Sequence, residues 1–135
     1  MIQKISIFFL IFTIFNSYSQ EEVEISISNK KEQIYSNFKV DVPSNYKGSN
    51  DSIFAFFKKH SNLKISNIKI DEQSTYFNIL IDEKGCPYKV EIIKSLGKEY
   101  DKEVNKIISE MSFWTPAIHN GKKVKVSVIE YITFK

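Results

Sequence analysis

Catalysis and metal binding need particular side chains in particular groupings, and this chain of 135 residues offers few of them. Zinc takes about four protein ligands, or three and a water. The two histidines, His60 and His119, are far apart in sequence, and neither has a second imidazole or a thiol at ligand spacing. Both read as exposed loop residues. Cys86 is the only cysteine, so no internal disulfide can form, and its position between Gly85 and Pro87 marks a turn. No serine sits in a nucleophile elbow or a similar motif. The acidic residues mostly interleave with lysines on faces that read as solvated, a poor basis for paired catalytic carboxylates. Gly85, Gly97 and Gly121 stand singly, so no phosphate-cradling loop is built. The expectation is a protein without catalytic residues, cofactor site or metal ligands. All 19 cations are lysine against 16 acids, for a net charge of +3. Without arginine the bidentate forks that grip phosphate and guanine are missing, and nucleic acid is not expected as a partner.

The one cluster with strong physical character is Met111-Ser112-Phe113-Trp114-Thr115-Pro116-Ala117, followed by Asn120-Gly121-Lys122-Lys123-Val124. Trp114 is the only tryptophan and offers the largest apolar side chain, which suits an anchor between a helix and a sheet. Pro116 forbids helix continuation, and Asn120-Gly121 is a strong turn pair.

The elements around this cluster follow from periodicity. Phe77, Ile79 and Ile81 alternate with Asn78, Leu80 and Asp82 at the period of two expected of a strand with one buried face, Asp82 to Gly85 supplies a turn, and Tyr88, Val90 and Ile92 give a second, antiparallel strand. Tyr100, Val104, Ile107, Ile108 and Met111 fall on one helical stripe, with Asp101 as its N-cap and Lys102, Glu103, Lys106 and Glu110 on the opposite face. A shorter helix is expected from Ser52 to Lys59, capped by Asp51 or Ser52; the linker through Leu63, Ile65, Ile68 and Ile70 mixes periods and is left open as loop or irregular strand. The final stretch, Val124 to Phe134, alternates as one long strand. Glu130 falls on its apolar side, which requires either a bulge near Ile129 or a sheet that ends in solvent.

Before these elements the chain is different in kind. Lys4 is followed by eleven residues, Ile5 to Phe15, that are apolar apart from Ser6 and Thr13. That suits the about 7–15 residues of a signal-peptide core better than the roughly 20 of a membrane span. Ser17 and Ser19 occupy the −3 and −1 positions of a small-x-small cleavage site, which makes residues 1–19 a signal peptide and leaves Gln20 first. Residues 20–50 form an N-terminal extension in which Val23, Ile25 and Ile27 suggest one short strand, and the turn residues of Asp41 to Asn45 separate it from a domain spanning 51–135.

The series Phe77-x-Ile79-x-Ile81-Asp82-x-x-Gly85, Val90-x-Ile92, Ser95, Tyr100-Asp101-x-x-Val104, Met111-x-x-Trp114-x-Pro116 and Asn120-Gly121-Lys122-x-Val124 resembles the C-terminal domain of TonB, most closely the versions found in Bacteroidetes. The family often has a Tyr-Pro pair after its first helix and a proline in its last strand. Here the pair is lacking and Tyr131 stands in the strand. The resemblance implies an α+β fold, a three-stranded antiparallel sheet with two helices packed on one face. It also implies a non-catalytic periplasmic module of TonB-dependent transport that binds a protein or peptide partner, such as an outer-membrane receptor, by strand addition. The partner would lie along Val124, Lys125, Val126, Ser127, Val128, Ile129 and Tyr131, with Trp114, Pro116, Asn120 and Gly121 as the structural motif. Two alternatives are a transducer anchored in the inner membrane and a stand-alone envelope protein that homodimerises through an open edge. If the leader is cleaved, intact mass of periplasmic material gives a soluble chain beginning at Gln20, whereas a full-length species in the membrane fraction overturns that reading.

Overall fold

Alternating apolar residues build the centre of the fold as the sequence pattern requires. The computed structural model describes residues 31–46, 50–67 and 72–135, and the fold is that of the unit Gln33–Lys135. Strand β1 (Tyr35–Ser36) leads into a single helical turn (Asn37–Lys39), and the next element is helix α1 (Asn50–His60). Strands β2 (Ser74–Ile81) and β3 (Pro87–Lys94) follow, then helix α2 (Lys98–Ser109), the short strands β4 (Ala117–His119) and β5 (Lys122–Val124), and β6 (Val126–Thr133). The main sheet has the order β1-β6-β2-β3 and a separate two-stranded ribbon joins β4 to β5. The expected antiparallel trio is present as β6-β2-β3, and β1 adds a fourth, parallel strand, with Tyr35 opposite Val126 and Ser36 opposite Ser127.

One face of the trio holds the core. Phe77, Ile79 and Ile81 of β2 lie beside Val126, Val128 and Ile132 of β6, and are covered by Ile53 and Phe57 of α1 and by Val104, Ile107 and Ile108 of α2. Both helices therefore sit on the same face. The apolar stripe of α2 is buried as its spacing demands, with Tyr100 half-buried at its start. Two details of this helix differ from expectation. It begins at Lys98 after Gly97, so Asp101 is inside the first turn, where its carboxylate accepts a 2.7 Å hydrogen bond from the Ser95 hydroxyl. Glu103 is buried, not solvated: it accepts the Asn62 N–H and lies 2.9 Å from Lys106 Nζ. Burial alone would raise its pKa, but the Asn62 N–H, the Lys106 ammonium and the Ser61 side chain together outweigh it and hold the carboxyl below the usual value. Glu103 thus ties the end of α1 to α2.

The other corrections come from long-range pairing. The long final strand is broken at Lys125, so Val124 belongs to the β4–β5 ribbon and not to β6. The segment around Val42 does not separate an extension from the domain. The N–H groups of Val42 and Ile118 each donate to the other's carbonyl at 2.9 Å, Tyr46 is buried in the core, and the domain thus begins upstream of Asp51. α1 starts two residues earlier than expected. Ile65 bridges to Phe134, giving the linker one extended contact; Ile68 and Ile70 lie outside the described residues, as do the leader and the strand proposed around Val23, Ile25 and Ile27. His60 closes α1, stacks on Phe56 at 4.1 Å and lies 3.3 Å from Glu110, while His119 ends β4, 3.5 Å from Asp41. Both are half-buried beside carboxylates, not exposed in loops.

Asp82 closes the β2–β3 turn by accepting the N–H groups of Lys84 and Cys86 at 2.9 Å each. Gly85 there has φ +84° and its carbonyl takes the Trp114 N–H at 2.7 Å; a Cβ on Gly85 would stand 1.9 Å from the Trp114 carbonyl oxygen. Asn120 (φ 51°) and Gly121 (φ 74°) make the tight turn of the ribbon, where a Cβ on Gly121 meets nothing within 4 Å. The two glycines separate strain from steric conflict. Gly121→Ala should cost about 1 kcal/mol through its positive φ alone, whereas Gly85→Ala should cost about 3 kcal/mol or more because it also forces the Trp114 backbone away. Denaturant unfolding of the two variants checks this, and equal losses would mean that the Trp114 contact is easily displaced.

Candidate protein-binding edge

Pairing alternates along a strand: the N–H and C=O of one residue point to one edge, those of the next residue to the other. The Lys125 carbonyl accepts the Tyr35 N–H at 2.9 Å and the Thr133 carbonyl accepts the Ser66 N–H at 2.8 Å, both on the outer edge of β6. Ile129 and Tyr131 therefore direct their backbone groups to that edge as well. Their outer edge lies between two covering pieces. At one end β1 pairs with Val126 and Ser127, and at the other the segment through Ile65 bridges to Phe134. Among the described residues no strand or bridge pairs with this edge from Val128 to Ile132. The side chains of Ile129 and Tyr131 are 56% and 38% exposed, and Tyr131 packs against Tyr76 at 5.9 Å on the face away from the helices.

The structure sorts the residues expected on this edge into three groups. Val126 and Val128 face the core, and Val124 lies in the ribbon. Lys125 and Ser127 are half-buried next to β1, with Lys125 Nζ 5.6 Å above the Tyr88 ring. Of these, Ile129 and Tyr131 combine exposure with an edge that is unpaired among the described residues. Of the structural motif, Trp114 is buried, Pro116 is half-buried, and Asn120 donates its N–H to Asp41 at 2.7 Å beside Gly121.

Beside this edge, on the helix side of the sheet, is a cavity of about 280 Å³ whose walls include Phe38, Pro43, Ser44, Trp114, Val128 and Glu130. Its rim is held by Asn37, whose side-chain amide donates to the Ser44 carbonyl at 2.9 Å and accepts the Ser44 N–H at 2.7 Å. Phe38 is 74% exposed at the mouth. Neither resolution offered by the sequence for Glu130 occurs. β6 stays in register with β2 from Val126 opposite Ile81 to Thr133 opposite Ser74, so no bulge intervenes and Glu130 remains on the core face, half-buried. No hydrogen bond or ion pair reaches its carboxyl among the described residues. Burial pushes its pKa up to about 7. Its phase in the strand was the one available signal of this cavity; the Phe38 and Ser44 wall carried none, because only the pairing of the N-terminal segment brings it here.

Residues 72–135, β2 to the C-terminus, match the family model described as Gram-negative bacterial TonB protein C-terminal. This segment is a TonB C-terminal domain. No curated protein and no solved structure gives a significant match. TonB C-terminal domains are non-enzymatic protein-interaction domains that serve TonB-dependent transport in the cell envelope and contact proteins such as outer-membrane receptors. The matched segment contains β6 and Glu130, while β1, the Asn37–Ser44 rim and α1 lie before it. Among the described residues no helix is long and apolar enough to cross a membrane, and no group of three or more His, Cys, Asp or Glu could hold a metal ion.

The carboxyl of Glu130 gives the domain a pH signature. Its ordinary value of 4.5 rises to about 7 on folding. Between those values the folded chain keeps a proton that the unfolded chain has lost, so this group makes stability fall as pH rises from about 4.5 to about 7, with no further change above. Glu130→Gln should remove that slope and raise stability at pH 8 by about 1–2 kcal/mol, less than the full shift implies because solvent screens part of it. Denaturant unfolding of both proteins at pH 5 and pH 8 checks this. A constant difference between them would show that Glu130 titrates normally.

Proposed function

We propose that this protein is an exported, non-catalytic module that binds a partner of TonB-dependent transport by taking an extended segment of that partner as a strand along the outer edge of β6. The reading includes cleavage of residues 1–19 and action in the periplasm, with an outer-membrane receptor as the partner. The observation that carries it is the stretch of edge at Ile129 and Tyr131, unpaired among the described residues and framed by β1 and the Ile65 segment. Backbone pairing supplies affinity in strand addition, and alternate side chains supply specificity. The frame limits the added strand to a few residues, so binding should be modest and reversible. Family membership supports a protein partner over a small molecule.

The test separates backbone from side chain. Ile129→Pro removes a donor that the added strand needs, while Ile129→Ala keeps the backbone and trims a solvated side chain. Titration with N-terminal, periplasm-facing peptides of outer-membrane receptors should shift the amides of Ile129 and Tyr131 first. The proline variant should lose about tenfold or more in affinity and the alanine variant about twofold, since the backbone bonds are the larger contribution. Shifts centred on α1 or α2, or equal losses in the two variants, would overturn the reading.

A further inference from the structure

A strand laid on the outer edge of β6 would alternate its side chains between the two faces of the sheet. On one face they would meet Ile129 and Tyr131. On the other they would reach the cavity that Glu130 helps to line. We propose that this cavity receives one basic side chain, lysine or arginine, from the partner's strand, with the Glu130 carboxylate as its counter-ion. The inference deepens the strand-addition reading and rests on it.

The chemistry of the walls selects this occupant. Phe38, Pro43, Trp114 and Val128 offer apolar surface for the methylene stem of a long cationic side chain, whose charged end then needs an acceptor. Among the described residues that line the cavity Glu130 is the only ionisable one, and among them no partner reaches its carboxyl. The rings of Phe38 and Trp114 are compatible with a nearby cation. An acidic side chain would meet a carboxyl of like charge, and an apolar one would leave that carboxyl desolvated without compensation. Burial is the cause that holds Glu130 protonated up to about pH 7, and a cation beside it favours the ionised form again. Affinity for a basic strand should therefore rise with pH through neutrality.

Two blocked peptides test this, Thr-Val-Thr-Lys-Thr-Val-Thr and its analogue with norleucine in place of lysine, titrated into isotope-labelled protein beginning at Gln20. Norleucine keeps the stem and removes the charge. Both peptides should shift the amides of Ile129 and Tyr131. At pH 8 the lysine peptide should bind about tenfold more tightly, the scale of one charge-assisted contact, and at pH 6 that advantage should largely vanish. Glu130→Gln should abolish the advantage at pH 8 while leaving the norleucine peptide bound. Equal affinities for the two peptides, or a lysine advantage that survives Glu130→Gln, would overturn the cavity assignment and leave strand addition standing. Shifts away from β6, or none with either peptide, would overturn strand addition and the assignment with it.

Discussion

The fold turns on the contact between the Trp114 backbone and Gly85. A 2.7 Å hydrogen bond from the Trp114 N–H to the Gly85 carbonyl pins the chain leaving α2 against the β2–β3 turn, at an approach so close that no side chain fits on residue 85. The indole is then buried beside Tyr46, their rings 5.5 Å apart. From that point the next residues are positioned in sequence. The Thr115 N–H donates to the Asn45 carbonyl at 2.9 Å, Ile118 pairs with Val42, and Asp41 receives Asn120. The N-terminal segment is thereby fastened along the β4–β5 ribbon, which puts Asn37 and Ser44 at the rim of the cavity and β1 at the start of β6.

That arrangement decides how much of β6 is left open. An unpaired strand edge invites pairing with any extended chain, so folded proteins usually shorten, cover or charge such edges. Here β1 covers one end and the Ile65 segment the other, and the interval between them is short. An inward-facing Glu130 stands within the same interval, where a hydrophobic side chain would continue the pattern of Val126, Val128 and Ile132. A carboxyl in that place opposes indiscriminate apolar contact and favours a strand that brings positive charge. In the proposed reading, restricted length and a single charge preference together would make the edge selective without a deep pocket.

The N-terminal segment gives the domain parts that the matched family segment does not contain. β1, the Asn37 clamp on Ser44 and α1 all precede residue 72, yet Tyr46, Ile53 and Phe57 are buried in the same core as β2 and β6. Burial of aromatic side chains of this size is a large part of a small domain's stability. The open stretch of β6 is thus framed by β1 and the Ile65 segment, outside the family match, and built on residues within it.

Local order determined which elements exist. Alternation at Phe77, Ile79 and Ile81 specified β2, the stripe from Tyr100 to Met111 specified α2, and Gly85 and the Asn120-Gly121 pair specified their turns, because each pattern depends only on backbone geometry and on which face must leave water. The size of Trp114 was enough to foresee its burial. Tertiary structure alone decided the partners. Glu103 looks solvated by helical phase, but the chain end of α1 arrives to use its carboxylate. The last strand looks continuous, but the ribbon's pairing with β4 takes Val124 away from it. Glu130 had a visible phase and no visible environment: its neighbours Phe38 and Ser44 are more than eighty residues away in sequence and become its surroundings only when β1 pairs with β6. Periodicity records which face of an element is apolar, whereas the identity of what covers that face depends on contacts between distant residues that no local pattern encodes.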